Sequence, residues 1–286
     1  MLGTTDVSPS SLYPSGVFSM NTESMTLSST DAHRDAVQGD TLEIRQVAVN
    51  APLRWLAQGW GTLTKTPLIS LFYGSLCALA GFAALTMSRA MPGLTLKFLI
   101  VLLLLGPFLA AGLYVAARQH LAGERIGIRA SLALFGQRRS SLALFGLLLM
   151  FVVAFWTLAS VVIFAIKVTT LAPTSSGYVT LLGGGMDPLM MLFTLASSAL
   201  LGAAVFAASV VAVPLIVDRD AGPIAGVQAS WRAVSLNPAP MLRWAGLILG
   251  LMIIGALTAF VGMILIFPLL GYASWYAYRD LVGEAA

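Results

Sequence analysis

Five stretches of this chain carry no charged side chain: 66–88, 98–117, 140–166, 188–217 and 244–278. Each supplies the ~20 residues that an α-helix needs to cross a hydrocarbon core of ~30 Å. The last is too long for one crossing at ~1.5 Å per residue and tight for two. Hydrophobic residues make up 58% of the sequence, charged residues only 10%, and mean hydropathy is +0.88. A water-exposed surface requires far more charge, so the apolar excess faces lipid. The expected class is therefore all-α: a polytopic transmembrane helix bundle.

Residues 1–41 are polar and aperiodic, with no apolar core of the kind a signal peptide needs. They read as a disordered tail before a membrane domain at 42–282, with a short tail at 283–286. Basic residues mark the ends of the apolar runs. With six spans and the N-terminus inside, all of the 16 Lys and Arg except Arg89, Lys97 and Lys167 fall on the cytoplasmic side. Five spans would move only Arg279 across. Both termini are then expected in the cytoplasm.

Internal repetition also favours six. A gapless shift places Ala122, Gly123, Gly127, Ala130, Ser131 and Leu148 on Ala221, Gly222, Gly226, Ala229, Ser230 and Leu247. Leu53, Leu56, Trp60 and Leu63 share their spacing with Ile224, Val227, Trp231 and Val234, and with Arg125, Ile128, Leu132 and Phe135. An aromatic and a small residue follow each set: Tyr73-Gly74, Phe145-Gly146 and Trp244-Ala245. The expectation is three helical hairpins, each preceded by an interfacial amphipathic helix. The interfacial helices are placed at about 52–65, 124–137 and 222–236. The spans are placed at about 67–88, 96–117, 141–167, 189–217, 240–257 and 261–280. The short helices act as linkers against the bundle or as lipid-binding elements.

Pro107, Pro214 and Pro268 sit within apolar runs and are candidate helix kinks, shaping the bundle or hinging it. In PLIVDRD at 214–220, Asp218, Arg219 and Asp220 form a candidate cytoplasmic anchor or ion site. Ser197, Ser198 and Ser209 share the fourth span with Gly202 and several alanines. They line a polar crevice, or lie on a surface smoothed for close helix packing.

The absences bear on chemistry. None of the expected spans holds a charged or imidazole side chain away from its ends, which disfavours coupled ion transport. The lone Cys77 and the isolated His33 and His120 supply neither a metal nor a haem ligand set, so no cofactor or metal is expected. No nucleotide-binding, metalloprotease or nucleophile-elbow motif is present, and the glycines at 183–185 precede no phosphate-cradling helix. An enzyme is not expected.

Four segments resemble an uncharacterised bacterial integral-membrane family, domain of unknown function 2189. They are IRQVAVNAPLRWLAQGW (44–60), VPLIVDRD (213–220), SWRAVSLNPAPMLRW (230–244) and PLLGYASWYAYRDLV (268–282). The resemblance implies a bacterial inner-membrane location and no assigned activity. Members of that family often carry His near the positions of Tyr272 and Tyr276. Here both are Tyr, which tells against a shared metal or haem role. The functional expectation is a non-enzymatic membrane scaffold or assembly partner, touching lipids and other membrane proteins but not nucleic acid. The alternative is a pore or facilitator for a small neutral or amphipathic solute.

Overall fold

The structure, a computed structural model, describes Gly3 and residues 42–90, 95–124, 128–171 and 188–283. The chain divides into two units, Met1–Leu42 and Glu43–Ala286. Almost all of the first, with the expected tail at 1–41, lies outside the described residues, as do the glycines at 183–185 and residues 284–286. The second unit is helical: α1 (Ala51–Lys65), α2 (Pro67–Ala90), α3 (Thr95–Leu121), α4 (Ile128–Leu171), α5 (Pro188–Ser209), α6 (Ala212–Arg219), α7 (Pro223–Leu236), α8 (Pro238–Leu257) and α9 (Met263–Leu281).

Proline decides where several of these helices begin. Helical backbone is disfavoured for the residue before a proline, and α1 stops at Thr66 before Pro67, and α7 at Asn237 before Pro238. The two breaks are near copies: φ −125° and ψ 52° at Thr66, φ −129° and ψ 53° at Asn237. Pro52 and Pro223 open the two preceding helices at positions whose N–H groups have no helical partner. α1 and α7 thus cover nearly the residues expected at 52–65 and 222–236.

The one expected at 124–137 does not stand apart. Arg138-Arg139 occupy the place of the Thr-Pro and Asn-Pro breaks, nothing interrupts the backbone, and α4 runs on for 44 residues. At ~1.5 Å per residue that is about 66 Å, roughly twice the hydrocarbon thickness.

The expectation of six spans in three hairpins is also corrected. Among the described residues, four helical stretches are long and apolar enough to cross a membrane: Pro67–Met87, Ser140–Ser160, Leu195–Arg219 and Pro238–Leu257. α9, the intended sixth span, is not among them, and of α3, the intended second, most side chains before Leu109 lie outside the described residues. The second half of α9 carries Tyr272, Tyr276, Tyr278, Arg279 and Asp280, which lower its apolar character. That half is wrapped by protein, with Tyr272, Ala273 and Ala277 fully buried, as are Leu113, Ala116 and Ala117 near the end of α3. The sequence reading assigned to lipid a stretch of α9 that belongs to a protein interior.

α9 is the hub, packing along α1 and α2 and touching α3 and α8. Glycines allow backbone contact at these crossings. A Cβ at Gly59 would fall 2.9 Å from the Ala273 amide nitrogen, and one at Gly271 would overlap the Leu113 side chain. The aromatic that follows each repeat enters this core, with Tyr73, Phe145 and Trp244 exposed by 2%, 1% and 0%. Trp244 meets Trp55 edge to face at 5.7 Å.

The turn joining α8 to α9 falls between Gly255 and Gly262. Ala259 and Phe260 hold positive φ there, and the Thr258 hydroxyl donates to the Gly255 carbonyl while accepting from the Gly262 N–H.

Candidate functional site

The α1 stripe of Leu53, Leu56, Trp60 and Leu63 is divided: Leu53 is 63% and Trp60 52% exposed and Leu56 is half-buried, while Leu63 is buried together with Ala51, Trp55, Gly59 and Thr62. On α7, Ile224 is 72% and Trp231 58% exposed, and Gly226, Ala229, Ser230 and Ala233 face inward. Inward faces of small residues and outward apolar ones are what lipid selects, because closeness of approach holds helices together there and lipid accommodates the larger side chains.

Below Thr62 the inward face becomes a hydroxyl ladder. Thr62, Thr66 and Ser70 lie one helical turn apart across the α1–α2 break, opposite Tyr276 and Tyr272 one turn apart on α9. The Tyr276 hydroxyl is 2.8 Å from Thr62 Oγ1, and Tyr272 lies 3.0 Å from Thr66 Oγ1 and 3.1 Å from Ser70 Oγ. Ser70 donates to the Thr66 carbonyl at 2.8 Å. The ladder is neutral and internally satisfied, which makes it a polar lock between helices. Tyr272→Phe should lower thermal stability in detergent by about 1 kcal/mol, because both partner hydroxyls keep backbone acceptors. Melting curves of the two purified proteins check this.

One end of the unit gathers charge. Asp280 accepts from Trp55 Nε1 at 2.6 Å and pairs with Arg54 at 2.5 Å, tying α1 to the end of α9. Beside it, the segment before α1 is laced to the segment after α9. Ile44 bridges Val282 in antiparallel fashion, and the Arg45 N–H donates to the Leu281 carbonyl at 2.8 Å. Asn237 fastens the same segment from the other side. Its Oδ1 accepts from the Val47 N–H at 2.8 Å, and its Nδ2 donates to the carbonyls of Arg45 and Ala233, each at 3.1 Å. Neither Asn237 nor Asp280 stood out in the sequence, although Asn-Pro is a turn signal and both lie in the motifs that carried the family resemblance.

Asp218, Arg219 and Asp220, the candidate anchor or ion site, close α6 at this end. Asp218 accepts from the Tyr278 hydroxyl at 2.8 Å, with Arg118 Nη1 and Arg219 Nε each 4.0 Å away. Arg219 also donates to the Gly283 carbonyl at 2.6 Å. Burial, reinforced by the Asp218 charge, pushes the Tyr278 phenol up, so it remains a proton donor to that carboxylate. Asp220 ends α6 in the left-handed region at φ 55°. Arg118, Asp218, Arg219, Trp275 and Arg279, with Leu121 and Ala122, line an open cavity of about 560 Å³. No group of three or more potential metal ligands occurs among the described residues.

The other singled-out residues are scattered. Pro214 follows a break in the helix at Val210–Val211, where its ring and missing N–H preclude regular backbone. The Val211 N–H there donates to the buried Ser230 hydroxyl at 3.2 Å. Pro268 lies within continuous α9, and Pro107 within α3. Ser198 is exposed on α5, while Ser197 and Ser209 are half-buried, Ser209 as its last residue.

No curated protein and no solved structure matches the chain. Residues 94–218, from the start of α3 to the anchor carboxylate, match the family described as "Predicted integral membrane protein (DUF2189)". Of the four motifs that suggested this family, only the start of VPLIVDRD falls within the matched region. The segment at 94–218 is thus similar to the family to which the sequence pointed, and with its apolar helices the chain is an integral membrane protein.

Proposed function

We propose that this protein is a non-enzymatic scaffold of the bacterial inner membrane, an assembly or interaction partner for other membrane proteins, with its arginine-rich end and both termini in the cytoplasm. The observation that carries this reading is the matched pair α1 and α7. Each is fixed to the bundle through a buried face, Trp55, Gly59, Thr62 and Leu63 on α1 and Gly226, Ala229, Ser230 and Ala233 on α7, and each holds an aliphatic side chain and a tryptophan outward at equivalent positions, Leu53 with Trp60 and Ile224 with Trp231. Rigidly held, exposed aromatic anchors are the chemistry of a recognition surface. The basic end supports the orientation, since Arg45, Arg54, Arg118, Arg219 and Arg279 all lie beside the paired terminal segments. The facilitator alternative gains nothing from the α1–α2–α3–α9 core, where glycine contacts bring backbones together.

Affinity purification from native membranes in mild detergent tests the proposal. The expected result is one membrane protein recovered in constant proportion with the wild type and lost with Trp60→Ala/Trp231→Ala. Wild-type protein that always emerges alone would overturn it.

A further inference from the structure

We infer that the cavity at the charged end is a binding site for a phosphate group, of the kind an anionic phospholipid headgroup presents. Three helices end there, α3, α6 and α9, and each brings an arginine from its last turn: Arg118, Arg219 and Arg279. Basic residues near helix C-termini are commonly explained by the negative end of the helix dipole. That accounts for Arg219, which donates to the Gly283 carbonyl. It does not account for three guanidinium groups gathered around one cavity of about 560 Å³.

Asp218 leaves the balance positive. Its oxygens stand 4.0 Å from Arg118 Nη1 and from Arg219 Nε, ion-pair separations too long for hydrogen bonds, and its short contact is with Tyr278. Trp275 supplies an independent observation. It lines the same cavity, is 2% exposed, and its indole N–H has no acceptor. A buried donor without an acceptor is rare in a native structure, and a bound oxyanion would satisfy it. An indole N–H without an acceptor thus shares this space with guanidinium groups, whose planar forks suit the paired oxygens of a phosphate.

The repeat explains how the site arose. Arg118 and Arg279 hold equivalent places after Pro107 and Pro268, and Tyr114 and Trp275, equivalent in the same way, stack at 6.0 Å. Two copies of one helix end face each other and double the positive charge. Basic pockets between membrane helices at the headgroup level take anionic lipid headgroups, and the apolar Leu121 and Ala122 on the rim suit a ligand with an acyl portion.

The test uses the full chain, purified in neutral detergent and offered phosphatidylglycerol, phosphatidylcholine or inorganic phosphate. Retained lipid is read by native mass spectrometry and phosphate binding by calorimetry. Wild-type protein should retain phosphatidylglycerol over phosphatidylcholine, and Arg118→Gln/Arg279→Gln should weaken that retention about 30-fold, two basic contacts at the membrane surface being removed. Saturable binding of inorganic phosphate that the double variant loses would assign the same site to a free phosphate. Trp275→Phe keeps the aromatic packing and removes only the N–H, so it should weaken retention several-fold even if the double variant folds poorly. Equal retention of both lipids by the wild type, with no phosphate binding, would overturn the inference, as would a Trp275→Phe protein that binds like the wild type.

Discussion

Gly74→Val is expected to abolish recovery of folded protein, with a destabilisation of about 3 kcal/mol or more. Gly74 lies on α2 where it crosses α9. A Cβ there would fall 2.9 Å from the Ile264 Cα and closer still to the Ile264 carbonyl. That carbonyl is the one for which Pro268, four residues on, has no N–H to offer. Proline and glycine therefore work as a pair, one opening a place on α9 and the other letting α2 occupy it. The obstacle is backbone, so no side-chain rotation relieves the overlap. Gly74→Ala should fail in the same direction but less severely, because it adds the Cβ without the branches. Gly61→Ala on exposed α1, where nothing lies within reach, should be tolerated and serves as the control. Yield of monodisperse protein after detergent extraction, followed by melting curves, checks the series.

The second large effect is expected at Asn237. The residue is 3% exposed, and its amide satisfies the Val47 N–H and the Arg45 carbonyl together. Asn237→Ala strips both groups of their partner and should cost about 2–3 kcal/mol. Asn237→Asp tests the assignment of its atoms: a carboxylate still accepts from Val47 but cannot donate to Arg45, so an intermediate loss is expected. Limited trypsin digestion gives a second readout. Cleavage after Arg45 should be slow in the wild type and fast in Asn237→Ala, since the segment is then held mainly through Leu281 and Val282. Equal cleavage rates would show that Asn237 does not hold the segment.

The parts of this fold that a single sequence discloses are those set by local backbone rules. Thr66-Pro67 and Asn237-Pro238 had to break helices, and the repeated spacing ending in Trp60 and Trp231 had to form helices with one apolar stripe. The direction of that stripe was not legible by soluble-protein habits, because lipid exchanges the inner and outer faces. Trp55, Gly59 and Thr62 face the interior while Leu53 and Trp60 look out. The sixth crossing was misjudged for a related reason: the second half of α9 is buried by other helices, and composition does not distinguish burial in protein from burial in lipid. The anchor residues Asp218 and Arg219 were legible as a charge pair at a helix end. Their convergence with Arg118, Trp275 and Arg279 was not, since it brings together three helix ends distant in sequence. The clamps at Asn237 and Asp280 join residues 190 and 225 positions away and leave no local trace.

The lacing of Ile44 to Val282 also orders events during synthesis. α1 emerges from the ribosome first, yet the partners of its inner face, Asp280, Tyr276 and the backbone of Ala273, are made last. Until α9 is translated, the Trp55 indole N–H has no Asp280 to accept from it and the glycine surface beside it has no Ala273 backbone to meet, so the early helices wait in the membrane unfinished. A nascent chain halted before Met263 would leave that groove vacant.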